Sequence, residues 1–158
     1  MAIAAAAART RLEERIGVIL QEKGESVWSI PADASVYTAI KMMADQGIGA
    51  VPVLEGSQLI GMLSERDYAR KVVLEGRNSR ETLVGDIMTT SVATVTAEST
   101  IDECMRLMTA KRIRHLPVVR GEQLAGIVSI GDLVNWIISA QQETIEHLTS
   151  YIGGSYPG

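Results

Sequence analysis

Apolar side chains recur with the spacing i, i+3, i+4 and i+7 over two stretches of this sequence, which is the pattern of a helix with one buried face. These residues are Val36, Ala39, Ile40 and Met43 in the first stretch, and Ile101, Cys104, Met105 and Met108 in the second. Ser35 and Thr100, which suit the N-cap position, stand directly before the two stretches. The pattern therefore predicts two amphipathic helices with defined starts.

Each of these predicted helices is followed by two short apolar segments with a glycine turn between them. The segments are Ala50–Leu54 and Leu59–Leu63 around Gly56, and Leu116–Val119 and Leu124–Val128 around Gly121. Short apolar runs that flank a glycine-containing turn are typical of a β-hairpin. A further short β segment is predicted before each helix, at Val27–Ile30 and Val92–Val95.

A second helix is predicted after each hairpin, beginning at Ser64 in one half of the chain and at Ser129 in the other. The apolar residues expected on its buried face are Tyr68, Ala69, Val72 and Val73, and in the other half Leu133, Val134, Ile137 and Ile138. Each half therefore has the order β-α-β-β-α, which predicts a mixed α/β fold.

The two halves are copies of one another. Residues 27–70 align with residues 92–135 without a gap, at an offset of 65, and twelve of the 44 pairs are identical. Each half is small enough to gain stability by sharing an interface, so we predict two repeats packed as a pseudo-twofold pair. The predicted domains are an N-terminal helical extension (1–24), the first repeat (25–78), a connector (79–90), the second repeat (91–150) and a flexible tail (151–158).

Composition and charge argue against several classes of function. The chain has 158 residues and a net charge of −4, and its fifteen Lys and Arg residues are scattered except around Arg9–Arg15, Arg66–Lys71 and Lys111–Arg114, which argues against a nucleic-acid-binding surface. Its single cysteine, Cys104, cannot form an intrachain disulfide, and no Cys and His spacing suits a metal site. The apolar run Ala4–Ala8 is too short for a signal-peptide core or a membrane span. We therefore expect a cytoplasmic protein that neither binds a metal nor spans a membrane.

A Gly-x-x-Ser-x-x-Asp motif ends both predicted hairpins. Its residues are Gly61, Ser64 and Asp67 in the first repeat, and Gly126, Ser129 and Asp132 in the second. One interpretation is structural, in which the serine caps the next helix and the aspartate adds an acidic group to its first turn. In the other, free N–H groups of the helix and the hydroxyl receive a phosphate, while the carboxylate accepts hydrogen bonds from a ribose diol. The two roles are compatible.

With these motifs the sequence resembles the CBS-domain proteins over residues 27–140. The segments that carry the resemblance are Ile48–Val53, Ile113–Val118, Asp86–Thr89 and the two Gly-x-x-Ser-x-x-Asp motifs. The resemblance implies two repeats packed through their sheets, with clefts that hold AMP, ADP, ATP, NAD(H) or S-adenosylmethionine. The ligand-binding residues that it implies are Ile30, Ile48, Gly49, Ala50, Pro52, Ser64, Arg66 and Asp67, and in the second repeat Val95, Ile113, Arg114, His115, Pro117, Ser129 and Asp132.

The resemblance also implies that the two clefts differ. Arg114 and His115 fall where family members place basic residues that face the ligand phosphates, whereas the first repeat has Gly49 and Ala50 there. The first cleft must therefore take its positive charge from elsewhere, for example from Arg66. A homodimer is implied as well, and the apolar residues 136–138 are candidates for its interface.

The function implied by the resemblance is a regulatory or sensor module that binds an adenosine nucleotide. It would have no prosthetic group and no catalytic activity, and would act on a protein partner that the sequence does not identify. Two alternatives stay open. One is an enzyme acting on a nucleotide, although the sequence has no P-loop and only His115 and His147 as neutral-pH bases. The other is a pure protein-interaction or assembly module, in which the aspartates serve only as caps.

Overall fold

The computed structural model describes residues 1–24 and 26–139 of the chain. Its helices are α1 (Ala2–Leu12), α2 (Gly17–Lys23), α3 (Val36–Gln46), α4 (Glu65–Tyr68), α5 (Val84–Ile87), α6 (Ile101–Lys111) and α7 (130–139). Its strands are β1 (Ala50–Glu55), β2 (Gln58–Ser64), β3 (His115–Arg120) and β4 (Gln123–Ser129), and a π-helix over Ala69–Val73 continues α4. The end of the predicted second repeat (140–150) and the predicted tail (151–158) lie outside the described residues.

These elements form two units. The first unit contains the described parts of Met1–Gly24, Val95–Leu116 and Ile127–Gly158, and the second unit contains those of Glu25–Thr94 and Pro117–Gly126. The N-terminal helices therefore belong to the same unit as the helices of the second repeat. The first repeat and the predicted connector form the second unit, together with the tip of the second hairpin.

The strands form one sheet in the order β1-β2-β4-β3. β1 and β2 are antiparallel, and because Glu55 pairs with Gln58, the predicted hairpin turn contains only two residues. Gly56 in this turn has a φ of 64°, a left-handed conformation that glycine adopts without steric cost. β4 lies antiparallel to β2, where Gln58 pairs with Gln123. Both predicted hairpins are confirmed.

The core of the second unit lies on the predicted apolar face of α3. The buried side chains of this core are Ile30, Val36, Ala39, Met43, Val51, Val53, Leu63, Val72, Val84 and Ile87. Ser35 caps α3, because its hydroxyl accepts a hydrogen bond from the Thr38 N–H at 3.1 Å. The predicted connector takes part in this unit, since the Val36 N–H donates to the Thr82 carbonyl at 2.8 Å.

In the first unit, the N-terminal helices are joined to the second repeat by backbone hydrogen bonds. The Ile16 N–H donates to the Ser99 carbonyl at 2.8 Å, and the Ile101 N–H donates to the Glu14 carbonyl at 2.9 Å. These bonds engage the backbone of Glu14 and Ile16, which explains why the predicted helical extension is divided into α1 and α2. The buried side chains of this unit include Ile16, Ile19, Val95, Ile101, Cys104, Met108, Leu116, Val128 and Leu133.

The β segments predicted before α3 and α6 are shorter than expected. Ile30 forms a single parallel bridge with Val53, in which its N–H donates to the Pro52 carbonyl at 3.1 Å and its carbonyl accepts from the Leu54 N–H at 3.0 Å. Pro31 follows directly and has no N–H with which to continue such a ladder. In the other segment, only Val95 has bridge geometry.

The buried face predicted for the helix after Ser64 is wrong at Ala69 and Val73. The Leu74 N–H donates to the Ala69 carbonyl at 3.0 Å, five residues earlier, which defines a π-helical turn. Val73, the last residue of the π-helix, is 55% exposed, whereas the adjacent Val72 is buried. Adjacent helical positions point in different directions, so only one of this pair faces the core.

α7 also buries fewer of the predicted residues than expected. Leu133 is buried and Ile137 is half-buried, but Val134 and Ile138 are exposed. Adjacent positions of an α-helix point about 100° apart, so a helix that is covered on one side buries only one member of each adjacent pair.

Candidate functional site

Asp132, in the first turn of α7, is held by a lysine of α2. Lys23 Nζ donates to Asp132 Oδ2 at 2.7 Å and to the Ile127 carbonyl at 2.9 Å. The Ser129 N–H donates to the same Oδ2 at 2.8 Å, and the Ser129 hydroxyl accepts a hydrogen bond from the Asp132 N–H at 3.1 Å. The last two bonds form a reciprocal capping box. The structural role predicted for the motif is therefore confirmed at this position.

The Asp132 carboxylate is ionised and partly open to solvent. Burial raises its pKa, but the hydrogen bonds from Lys23 and Ser129 and the charge of Lys23 outweigh this effect and hold the pKa below its ordinary value. The Asp132 side chain is 22% exposed. Within the described part of the chain, every hydrogen bond to this carboxylate reaches Oδ2, so Oδ1 is the oxygen available to a donor from outside.

A cavity of ≈ 290 Å³ lies beside this ion pair. Its lining residues are Ile19, Glu22 and Lys23 of α2, and Asp132, Asn135, Trp136 and Ser139 of α7. Five of these seven residues are polar or charged, and the volume is close to the lower end, about 300 Å³, of small-molecule sites. The cavity is therefore large enough for a group the size of a sugar.

Trp136 forms a fixed wall of this cavity. Its indole Nε1–H donates to Glu14 Oε2 at 3.0 Å, and the Arg11 guanidinium lies 4.4 Å from the ring centroid. A guanidinium at this distance is attracted to the aromatic face. The N-terminal region therefore contributes both Lys23 and the groups that hold Trp136.

Arg114 lies next to the start of α7. The Ile130 N–H donates to the Arg114 carbonyl at 2.8 Å, which places the backbone before β3 against the first residue of the helix. Arg114 is exposed and His115 is half-buried. The structure thus brings the backbone of Arg114 close to the helix start that contains Ser129 and Asp132.

Asp67, the counterpart of Asp132, is more enclosed. Its Oδ2 accepts hydrogen bonds from the Ser64 N–H at 2.9 Å and the Ser64 hydroxyl at 3.0 Å. Its Oδ1 accepts from the Thr89 hydroxyl at 3.2 Å and pairs with Lys71 Nζ at 3.1 Å. The side chain is 12% exposed. Both oxygens already have donors, so a ligand hydroxyl could bind only by replacing one of them.

The groups around Asp67 also attach the predicted connector to β2. Lys71 Nζ donates to the Ile87 carbonyl at 2.9 Å, and Met62 and Thr89 exchange backbone hydrogen bonds of 2.9 and 2.8 Å. A Cβ at Gly61 would lie 3.0 Å from the Thr89 carbonyl oxygen. This close approach accounts for the glycine of the motif in the first repeat.

The expectation of free N–H groups at the two helix starts is wrong for two donors in each repeat. The Glu65 N–H donates to the Gly49 carbonyl at 3.0 Å, and the Ile130 N–H is engaged by Arg114. The N–H groups of both motif aspartates donate to the serine hydroxyls. Binding of a ligand phosphate at these helix starts would therefore depend on side-chain cations more than on these backbone N–H groups.

Comparison with known proteins identifies the family. The CBS domain profile matches residues 24–74 and 84–139, more than half of the chain. The chain belongs to the CBS-domain family. It is 40% identical over 151 residues to the CBS domain-containing protein CBSX3, mitochondrial, of Arabidopsis thaliana, and this match covers 89% of the chain and 73% of the relative.

Solved structures agree with this assignment of a CBS domain pair. A protein with CBS domains from Burkholderia ambifaria MC40-6, to which a role in signal transduction is ascribed, is 46% identical with a TM-score of 0.76, covering 80% of this chain and 95% of its own. A hexameric CBS-CP12 protein from bloom-forming cyanobacteria is 26% identical with a TM-score of 0.67, covering 78% of this chain and 67% of its own.

The remaining predicted residues of the two CBS repeats are divided between the units. Those in the second unit are Ile30, Ile48, Gly49, Ala50, Pro52, Arg66 and Pro117, and those in the first are Val95 and Ile113. Ile30 and Pro52 share the backbone hydrogen bond of the parallel bridge. Arg66 is exposed on α4.

Sequence reasoning missed both lysines that pair with the motif aspartates of the CBS repeats. Lys71 stands four residues after Asp67, and this i, i+4 spacing is a recognisable signal for an ion pair on a helix. Lys23 is separated from Asp132 by 109 residues, and no local pattern connects the two.

Two further observations concern the described residues of the CBS pair. They contain no group of three or more His, Cys, Asp or Glu side chains that could hold a metal ion. None of the helices described has the length and apolar character needed to cross a membrane.

Proposed function

We propose that this CBS domain pair is a regulatory module that binds an adenosine nucleotide, with the ribose held by Asp132. The observation that carries the proposal is the partly exposed, ionised Asp132 carboxylate at the edge of a sugar-sized cavity. A carboxylate accepts two hydrogen bonds from a ribose diol readily, because bonds to a charged acceptor are stronger than neutral ones.

The nearby groups suit the other parts of such a ligand. Arg114 is exposed beside the start of α7 and can supply positive charge to phosphates. Ile113, which directly precedes Arg114 in the chain, is half-buried and can face an adenine ring. AMP, ADP, ATP and NAD(H) share these features, so the proposal covers all of them. The module binds its ligand without catalysing a reaction on it.

Asp67 has a lesser part in this proposal. Its carboxylate is satisfied by Ser64, Thr89 and Lys71, and its side chain is nearly enclosed. Ligand binding at Asp67 would first have to break internal hydrogen bonds. We expect the Asp132 site to bind more tightly than the Asp67 site.

The first test is a thermal-shift screen with AMP, ADP, ATP, NAD, NADH and S-adenosylmethionine. A ligand that binds only the native state stabilises it by about 2.7 kcal/mol at a concentration one hundred times its Kd, which raises Tm by several degrees. Unchanged melting curves with all six compounds at millimolar concentration would refute nucleotide binding.

The second test assigns the site by calorimetric titration. Asp132→Asn should weaken the affinity for the best ligand at least about tenfold, because the amide is neutral and donates where the carboxylate accepts. Asp102→Asn is the matched control, since Asp102 pairs with Arg106 on an exposed face of α6 in the same unit. If the two substitutions have equal effects, Asp132 does not hold the ribose.

A third substitution tests the phosphate end of the ligand. Arg114→Ala should weaken the binding of triphosphates or dinucleotides more than that of adenosine, because it removes a cation and leaves the cavity unchanged. Equal losses for all three kinds of ligand would place the phosphates elsewhere.

A second candidate function is a protein-interaction or assembly module without a ligand. The observation that favours it is the capping role of both motif aspartates, each of which exchanges hydrogen bonds with its serine. Such a protein would lose stability on Asp132→Asn without any change in nucleotide response. The homodimer, the cytoplasmic location and a regulated protein partner stay predictions.

A further inference from the structure

Asp132 forms an ion pair with Lys23, which lies 109 residues earlier in the chain. Ser129, which also donates to this carboxylate, belongs to the motif itself. A ribose diol presents two donors, one of which can reach the open Oδ1, whereas the other must compete with the Lys23 ammonium for Oδ2. A ligand hydroxyl that binds Oδ2 must therefore displace the Lys23 ammonium from this oxygen.

The ammonium remains beside the site when it loses the carboxylate. An ammonium has three donors, and Lys23 Nζ also donates to the Ile127 carbonyl at 2.9 Å. The bond to Ile127 can persist while the other two donors turn to a new acceptor. Release from Asp132 therefore leaves a positive charge directly next to the bound ribose.

Glu22, the acidic residue next to Lys23 in the cavity, is a poor substitute for Asp132 as the ion-pair partner of Lys23. Glu22 lines the cavity together with Lys23, but adjacent residues of a helix do not face each other. A neutral nucleoside supplies no anion either. A nucleotide does, because its phosphate is linked to the same ribose that takes Asp132.

We propose that Lys23 makes the Asp132 site selective for nucleotides over nucleosides, by exchanging the carboxylate for the ligand phosphate when the ribose binds. This inference rests on the proposed function and adds a specificity-determining residue from outside the repeats. Adenosine breaks the ion pair between Lys23 and Asp132 and gives Lys23 no new anionic partner. AMP breaks the same ion pair but supplies its phosphate as a new partner for Lys23. The helix α2 thereby senses whether the bound compound carries a phosphate.

The experiment compares adenosine and AMP by calorimetric titration of the full chain. In the wild type, AMP should bind at least about tenfold more tightly than adenosine, the difference that one charge-assisted contact provides. Lys23→Gln should weaken AMP binding by about tenfold and leave adenosine binding equal or tighter, because adenosine no longer displaces an ammonium. Lys23→Arg, which keeps the charge, should retain a preference for AMP.

The control is Lys41→Gln in the second unit. Lys41 pairs with Asp45 at 3.0 Å on an exposed helical face, so its substitution removes one positive charge from an ordinary surface ion pair. It should leave the ratio of the two affinities unchanged. Melting curves of the variants without ligand confirm that each one is folded.

The possible outcomes separate this inference from the function on which it rests. If Lys23→Gln changes the affinities for AMP and adenosine by the same factor, or changes neither, Lys23 has only a structural role and nucleotide binding stands without it. If neither compound binds to the wild type or to any variant, the proposed function fails and the selectivity inference fails with it.

Discussion

The Thr89 hydroxyl donates a hydrogen bond to Asp67 Oδ1 at 3.2 Å, across 22 residues of chain. This bond connects the first turn of α4 to the segment that enters the second repeat. With Lys71, which contacts both Asp67 and the Ile87 carbonyl, it makes Asp67 part of the internal structure of the second unit. Asp132 has no comparable enclosure, and the two motif aspartates should therefore respond differently to the same substitution.

We predict that Asp67→Asn lowers the free energy of unfolding by about 1 to 3 kcal/mol, because buried donors lose a charged acceptor. Asp132→Asn should cost less than about 1 kcal/mol, as is usual for a partly exposed ion pair. Urea unfolding of both variants measures the difference. Thr89→Val is the matched control, since it removes only the hydroxyl and should weaken stability less than Asp67→Asn does. Equal losses at the two aspartates would contradict the enclosure of Asp67.

We predict that the pKa of the Asp132 carboxyl lies below 3.8 in the native protein and rises in Lys23→Gln. Because the native pKa is lower than the unfolded one, the ion pair stabilises the native state above the unfolded pKa, and this contribution is lost as the pH falls through the native pKa. Wild type and Lys23→Gln should therefore differ in stability at pH 7 and converge as the pH falls below the native pKa of Asp132. NMR titration of the carboxyl carbon measures the pKa directly, and an unchanged value in the variant would refute the role of Lys23.

We predict that the N-terminal helices are an integral part of the first unit. Ile16 is fully buried at the junction of α1 and α2, so Ile16→Ala should lower the free energy of unfolding by about 2 to 4 kcal/mol through the lost contacts and the cavity left behind. Ile3, on α1, is 60% exposed, and Ile3→Ala should change stability by less than about 0.5 kcal/mol. Chemical denaturation compares the two, and similar small losses would show that these helices do not stabilise the fold.

We predict that Cys104 does not react with thiol reagents in the native protein. Burial, with a smaller contribution from the charge of Glu103, raises the pKa of this thiol to about 11, so little reactive thiolate exists at pH 8. A chromogenic disulfide reagent at pH 8 should label Cys104 only after urea is added. Rapid labelling without urea would mean that α6 opens readily.

We predict that the protein is a homodimer and that α7 contributes to the interface. Trp136, a candidate from the sequence, is engaged by Glu14 and Arg11, whereas Val134 and Ile138 are 38% and 44% exposed. Ile138→Glu should therefore shift the mass in light scattering from about twice 17.0 kDa toward 17.0 kDa. The same substitution at Ile3 should leave the mass unchanged. A wild-type mass of 17.0 kDa at micromolar concentration would exclude the dimer.

The sequence predicted well what depends on neighbouring residues. The helix starts at Ser35, Ser64 and Thr100 follow from capping preferences, and the hairpins follow from apolar runs around glycine. Contacts between distant residues were not predictable in this way. The pairing of Lys23 with Asp132 depends on how the chain folds back on itself, and an exposed lysine in a helix looks the same in sequence whether or not it has such a partner.

The π-helix over Ala69–Val73 limits how far the internal duplication can be used in engineering. In the sequence, residues 27–70 align with residues 92–135 without a gap, yet the extra residue in the turn that follows sets the end of the helix after Ser64 out of phase with an ordinary α-helix by about 100°. A chimera that replaces residues 64–74 with their equivalents from the second repeat would keep every aligned identity and still point its last apolar side chains in new directions. Deleting one residue within this turn should bring the helix after Ser64 into the same phase as the helix after Ser129. A sequence alignment would penalise this deletion as a gap.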